Sequence, residues 1–291
     1  MSLKRAILPA VFAAAASTTL AAVPIPVPTL SSPAQGSMRA TLSADIGPMP
    51  PDAATLDGYV FREDWTPLVK RLSPSPTPGD VARDLNWERS KIVNGGNILF
   101  DIAYVNTLWT TAKSLPAPAA DQIRQTAVAF ALYQLALIDL DGSRCKDPTA
   151  PAQKLQLAMT NWAVIIRYGQ SLPPERQEVV KQSALQLEWA TAPVRANDPV
   201  LCRGGLAEMQ ANLEAGGKPQ EVPADPNRPP GTYLPGKNYV VPHIVDYKPQ
   251  YLAEALWKPT VDARRAKLPQ TFTSLLKAKP AGGASADANT K

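Results

Sequence analysis

Residues 98–145 are matched without a gap by residues 155–202, and each copy ends in one of the chain's only two cysteines. At an offset of 57 positions, Ile98 aligns with Leu155, Ile102 with Met159, Val105 with Trp162 and Trp109 with Ile166. Ser114-Leu115-Pro116 then falls on Ser171-Leu172-Pro173, Asp141 on Asp198, and Cys145 on Cys202. Any two amphipathic hairpins share apolar spacing, so the register carries the argument. The turn and the cysteine keep the same 31-residue separation in both copies. The pattern points to one helical hairpin used twice, with equivalent ends placed for cross-linking; the alternative is two unrelated hairpins that share only helical spacing.

The helical period is written into both copies. Ile98, Ile102, Val105, Trp109 and Ala112 step by four and three residues and draw one apolar stripe. A second helix is expected from Ala119 to Leu140; between Ala127 and Ile138 only Gln134 is polar, which marks a buried central helix. A third starts near Thr149 with Pro151 in its first turn, its stripe formed by Leu155, Met159, Trp162, Ile166 and Gly169. A fourth runs from Pro173-Pro174 to Pro193, with Val180, Ala184 and Leu187 inward. A short fifth carries Leu206, Met209 and Leu213 between two glycine pairs. Upstream, 79–94 also looks helical, with Asp80 or Asp84 as its cap. Gly95-Gly96 follows as a break, a kink or a close backbone approach.

Proline divides the rest. Residues 23–80 and 219–291 each hold 11 prolines, against 8 in 81–218, where they sit only at expected helix ends. Proline inside a helix removes a hydrogen bond and clashes with the preceding turn. The expected fold is therefore all-α: four to five antiparallel helices in a bundle over 81–218, built from two similar hairpins. A proline-rich extended N-terminal arm precedes it over 23–80. A proline- and tyrosine-rich C-terminal strap follows over 219–279, with short helices at 250–258 and 260–277, the second broken at Pro269. Residues 280–291 are expected to be a disordered tail.

Residues 1–22 read as an export signal, with Lys4 and Arg5 before an apolar stretch and small residues at Ala21-Ala22. No transmembrane segment is expected after its removal, and the destination is the periplasm or the outside of the cell. In that setting Cys145 and Cys202 should be disulfide-bonded, a closure that stabilises by about 4 kcal/mol at most in the chain-entropy model. The chain has 30 basic and 25 acidic residues, and two of the basic ones lie in the leader. Such a balance lacks the concentrated basic face of a nucleic-acid binder.

Catalytic patterns are sparse. His243 is the sole histidine, which excludes multi-histidine metal sites. Paired with Asp246 it makes only a weak base and orienter. Asp139 and Asp141 read as helix-ending residues, and Glu88 beside Arg89 and Lys91 as a surface ion pair. No cofactor is expected. Tyr233, Tyr239, Tyr247, Tyr251 and Trp257, interleaved with lysines, are candidate contacts to a protein or envelope-glycan partner; the alternative is a strap whose aromatics pack back on the bundle. The functional expectation is a non-enzymatic binding or structural component of the bacterial cell envelope. The competing expectation is an envelope hydrolase acting on peptidoglycan or another polysaccharide through Glu88 or Asp101. A hydrophobic ligand among Trp109, Phe130 and Trp162 is a third. No pattern of this kind fixes the oligomeric state.

Overall fold

The computed structural model describes residues 33–72, 77–222 and 238–277. The expected signal at 1–22, Tyr233 and the tail at 280–291 lie outside these residues. The described chain is all-α apart from one small strand pair. Its helices are α1 (Pro33–Ala44), α2 (Ala53–Phe61), α3 (Trp65–Leu72), α4 (Pro78–Val93), α5 (Ile98–Thr111), α6 (Ala117–Asp141), α7 (Thr149–Asn161), α8 (Ala163–Ser171), α9 (Pro174–Thr191), α10 (Leu206–Glu214) and α11 (Glu254–Lys277). Strands β1 (Gln220–Val222) and β2 (Asn238–Val240) pair antiparallel, with Glu221 opposite Tyr239. No described helix is long and apolar enough to cross a membrane.

The chain divides into two compact units. Unit 1 takes residues 1–134, 162–196 and 266–291, and unit 2 takes 135–161 and 197–265.

Unit 1 corrects the extended N-terminal arm: residues 33–72 form three helices. Their prolines are placed where helices tolerate them. Pro33 opens α1, Pro50-Pro51 precede α2, and Pro67 lies in the first turn of α3, where the missing N–H has no intrahelical partner to lose. Arg71 then ties the segment down. Its guanidinium forks onto Asp52 (2.6 and 2.9 Å) and Asp84 of α4 (3.1 and 3.2 Å). Trp87 Nε1 donates to Asp57 at 2.9 Å, and Gln35 donates to the Trp189 carbonyl at 3.0 Å.

The cap of α4 is Thr77, not Asp80 or Asp84. Its hydroxyl oxygen accepts from the Asp80 N–H at 3.2 Å, and Pro78 takes the first helical position. Gly95 (φ +77°) and Gly96 end this helix in a Schellman motif, with Gly96 N–H reaching the Lys91 carbonyl at 2.8 Å. Gly95 is also a close approach, because a Cβ there would sit 2.4 Å from the Val194 carbonyl oxygen. Asn97 caps α5 by accepting from Leu99 N–H at 3.1 Å.

The two Ser-Leu-Pro turns have the same local geometry. Ser114 Oγ donates to the Thr111 carbonyl at 2.9 Å, and Ser171 Oγ to the Tyr168 carbonyl at 2.7 Å. The leucine that follows is extended in both. The third expected helix is split, however. Residue 162 separates α7 from α8; Trp162 and Ile166 are buried, but Leu155 and Met159 are exposed at 36% and 40%. Helix α6 is the buried centre that its composition implies. Ala127, Val128, Ala131 and Leu132 are fully enclosed, and Gln134 accepts from Trp162 Nε1.

In unit 2, Cys145 and Cys202 form a disulfide with Cα atoms 5.3 Å apart. The short helices expected in the strap are replaced by a single helix from residue 254 to 277, unbroken at Pro259 and Pro269. Each proline removes one ladder bond, and the buried stripe of Val261, Leu268, Phe272 and Leu276 offsets that loss. Within unit 1, Gly169 leaves room for the end of this helix: a Cβ there would meet Leu276 at 2.9 Å.

Candidate functional site

A groove of about 1430 Å³ lies in unit 1. Helices α1, α4, α5, α6 and α9 border it. Its apolar wall includes Leu42, Leu85, Val93, Ile123, Phe130 and Leu187. The i, i+4, i+8 spacing of Leu85, Arg89 and Val93 puts all three on one side of α4.

Two polar side chains stand out in this wall. Tyr104 of α5 is 7% exposed and packs on Phe130, ring centroids 4.5 Å apart. Burial pushes its phenol up to about 12, with the Arg89 charge opposing and the Glu88 carboxyl adding to the rise. Its hydroxyl has no hydrogen-bond partner among the described residues. Arg89 is half-buried, and its guanidinium makes one long bond, 3.4 Å to the Leu42 carbonyl. Asp121, at the rim, is held by Arg124 at 3.2 Å.

Glu88 is not the surface ion pair expected from its neighbours. It is fully buried, and neither carboxyl oxygen has a hydrogen-bond partner. Burial, and then the charge of Asp84, lift its pKa well above the carboxylate range. Lys91 pairs instead with Asp57 at 2.5 Å. Asp101 is equally enclosed, at 1% exposure, and neither it nor Glu88 lines the groove. Asp141 is buried beside Arg144 (3.2 Å) rather than solvating a turn, while Asp139 accepts from Arg264 at 2.9 Å. Of the three aromatics considered for a hydrophobic ligand, only Phe130 fronts the groove. Trp162 is core, and Trp109 stacks edge-on against Tyr168 at 5.7 Å.

Unit 2 gathers the strap residues. Tyr239 lies in β2 opposite Glu221. The strap is pinned by backbone bonds: Lys146 N–H to the Gln250 carbonyl at 2.9 Å, and Leu252 N–H to the Arg144 carbonyl at 2.8 Å. Between these contacts Tyr251 bridges Cys145 through its backbone. Trp257 lies under the Arg144 guanidinium at 4.7 Å, and Tyr247 is half-buried. Burial, and then the charges of Asp147 and Glu208, raise the Tyr247 phenol above its ordinary value.

His243 finds a different partner from the one its sequence neighbours suggest. Its Nδ1 lies 3.2 Å from Glu208 Oε1, while Asp246 pairs with Lys248 at 3.0 Å. Glu208 is 2% exposed and also accepts from Arg203 and from the Gly204 N–H at 2.7 Å. Burial raises its pKa, but these bonds, led by Arg203, hold it below the usual glutamate value overall. Nothing in the sequence spacing pointed to Glu208, because it lies 35 residues from His243 on a separate element. Compared with known proteins, the chain matches no family model, no curated protein and no solved structure.

Proposed function

We propose that this chain is an exported, non-enzymatic binding component of the bacterial cell envelope, and that its ligand or partner is held in the groove of unit 1. The groove is the observation that carries this reading. A large apolar concavity with a few polar side chains is the usual form of a binding site. The leader-like residues 1–22 and the disulfide suit an oxidising, exported setting. We place the repeated hairpins, 98–145 and 155–202, at its centre as a four-helix arrangement, a view supported by the matching turns at Ser114 and Ser171. Tyr247, Tyr251 and Trp257 are secondary partner contacts in this proposal. The hydrolase reading would need Glu88 or Asp101 to face a substrate, and both carboxyls are enclosed.

A lipophilic fluorescent reporter titrated into the protein tests the proposal. Saturable binding should occur and should be lost in Ser183→Trp, which fills the groove from an exposed lining position. Glu254→Gln, exposed at the start of α11, should leave it unchanged. Absence of saturable binding, or loss through Glu254→Gln alone, would overturn the groove assignment.

A further inference from the structure

The groove carries a polar feature that an apolar lining does not require. Tyr104 is 7% exposed, lines the groove, and directs no hydrogen bond to any described residue. A bound group can supply the acceptor, because the Tyr104 ring is enclosed while its hydroxyl keeps access to the groove. Arg89 is its neighbour along the same wall, and its guanidinium has no ion-pair partner among the described residues. Arg176, also lining the groove, is a second guanidinium without one. Of the two acids that border the groove, Asp121 is held by Arg124, and Asp45 is exposed at the end of α1. Glu88 is fully buried and does not line the groove.

We infer that the groove holds an anionic phospholipid, its phosphate received by Arg89 and the Tyr104 hydroxyl and its acyl chains laid along Leu85, Val93, Phe130 and Leu187. This inference rests on the groove being the binding site. Three considerations select this occupant. Guanidinium groups match phosphate oxygens in fork geometry, and a phosphate oxygen is the acceptor that the tyrosine hydroxyl lacks. Acyl chains carry no hydrogen-bonding groups, so an apolar wall holds them without unpaired polar atoms. The groove volume of about 1430 Å³ exceeds that of ordinary small-ligand pockets, roughly 300–1,000 Å³, so a small metabolite would leave much of it empty.

The test uses the full chain without its leader and the soluble short-chain lipid dioctanoyl phosphatidylglycerol. Uncharged dioctanoylglycerol, inorganic phosphate and an apolar helical peptide are the comparison arms. Each competes with the lipophilic reporter. The anionic lipid should displace the reporter at least tenfold more effectively than the uncharged one, and phosphate alone should not displace it. Arg89→Gln should erase the difference between the two lipids. Tyr104→Phe keeps the ring against Phe130 and removes only the unpartnered hydroxyl. It should therefore leave the melting temperature unchanged or higher while weakening the anionic lipid by roughly ten- to a hundredfold, the range of one hydrogen bond to a charged group. Equal displacement by both lipids would overturn the inference, as would displacement by the peptide alone, with groove binding itself left standing. Failure of the reporter to bind at all would remove both readings together.

Discussion

Glu88 sets up an unusual pH response from a single side chain. An ordinary glutamate titrates near 4.5, and burial without a hydrogen bond lifts this one well above that. The folded state therefore binds the proton more tightly than the unfolded state. Below the unfolded value both states are protonated and Glu88 imposes no penalty. As pH rises from there towards the folded-state value, the unfolded chain ionises first, and stability falls by at most about 1.4 kcal/mol per pH unit for one proton. Asp52, whose pKa is lowered chiefly by its bond to Arg71, acts in the other direction and loses its contribution as pH falls. Glu88→Gln removes only the first effect. Urea unfolding between pH 5 and 8 should show the variant gaining stability over the parent as pH rises. Parallel curves for the two proteins would mean that Glu88 is not enclosed as described.

At the scale of elements, α10 shows where periodicity reads a helix correctly and its orientation wrongly. Leu206, Met209 and Leu213 draw an apolar stripe, yet they are 57%, 41% and 39% exposed. Glu208 and Asn212, one turn apart, are buried instead. The reason is that these two side chains complete hydrogen bonds that the strap and its neighbours need. Asn212 Oδ1 accepts from Ile244 N–H at 2.7 Å and Val245 N–H at 3.1 Å, and its amide donates to the Glu208 carbonyl at 2.8 Å. Two backbone donors left unpaired outweigh the partial burial of three apolar side chains. Asn212→Ala should therefore destabilise unit 2 by about 2–3 kcal/mol and speed proteolysis near residues 244–245. Met209→Ser should change stability by no more than about 0.5 kcal/mol. The reverse order of effects in thermal melts would show that the stripe, not the polar face, is packed. A hydrophobic pattern gives the period of a helix; which side faces inward depends on partners distant in sequence. The same limit explains α7, where Leu155 and Met159 face out, and α11, whose prolines are tolerated because a buried stripe surrounds them.

Across the whole molecule, what could be read beforehand was covalent or local: the central helix α6, the turns at Ser114 and Ser171, the glycine stop at Gly95 and the cysteine pair. The groove was not legible, because Arg89, Tyr104 and Phe130 come from three helices and share no spacing. The helices at 33–72 were hidden by a proline count that ignored position within each helix. The disulfide gives the strongest whole-chain prediction. In the chain-entropy model, closing its loop stabilises by about 4 kcal/mol, and native strain commonly lowers such figures. The double variant Cys145→Ser/Cys202→Ser, which leaves no odd thiol, should lose about 2–4 kcal/mol. Because Cys145 also bridges Tyr251 and flanks the Arg144–Leu252 and Lys146–Gln250 backbone bonds, the loss belongs to strap attachment as well as chain closure. Hydrogen exchange should then accelerate first at residues 198–215 and 244–252. Unchanged protection there, with both serines in place, would show that the strap is held by Asn212 and the α10 face without help from the cross-link.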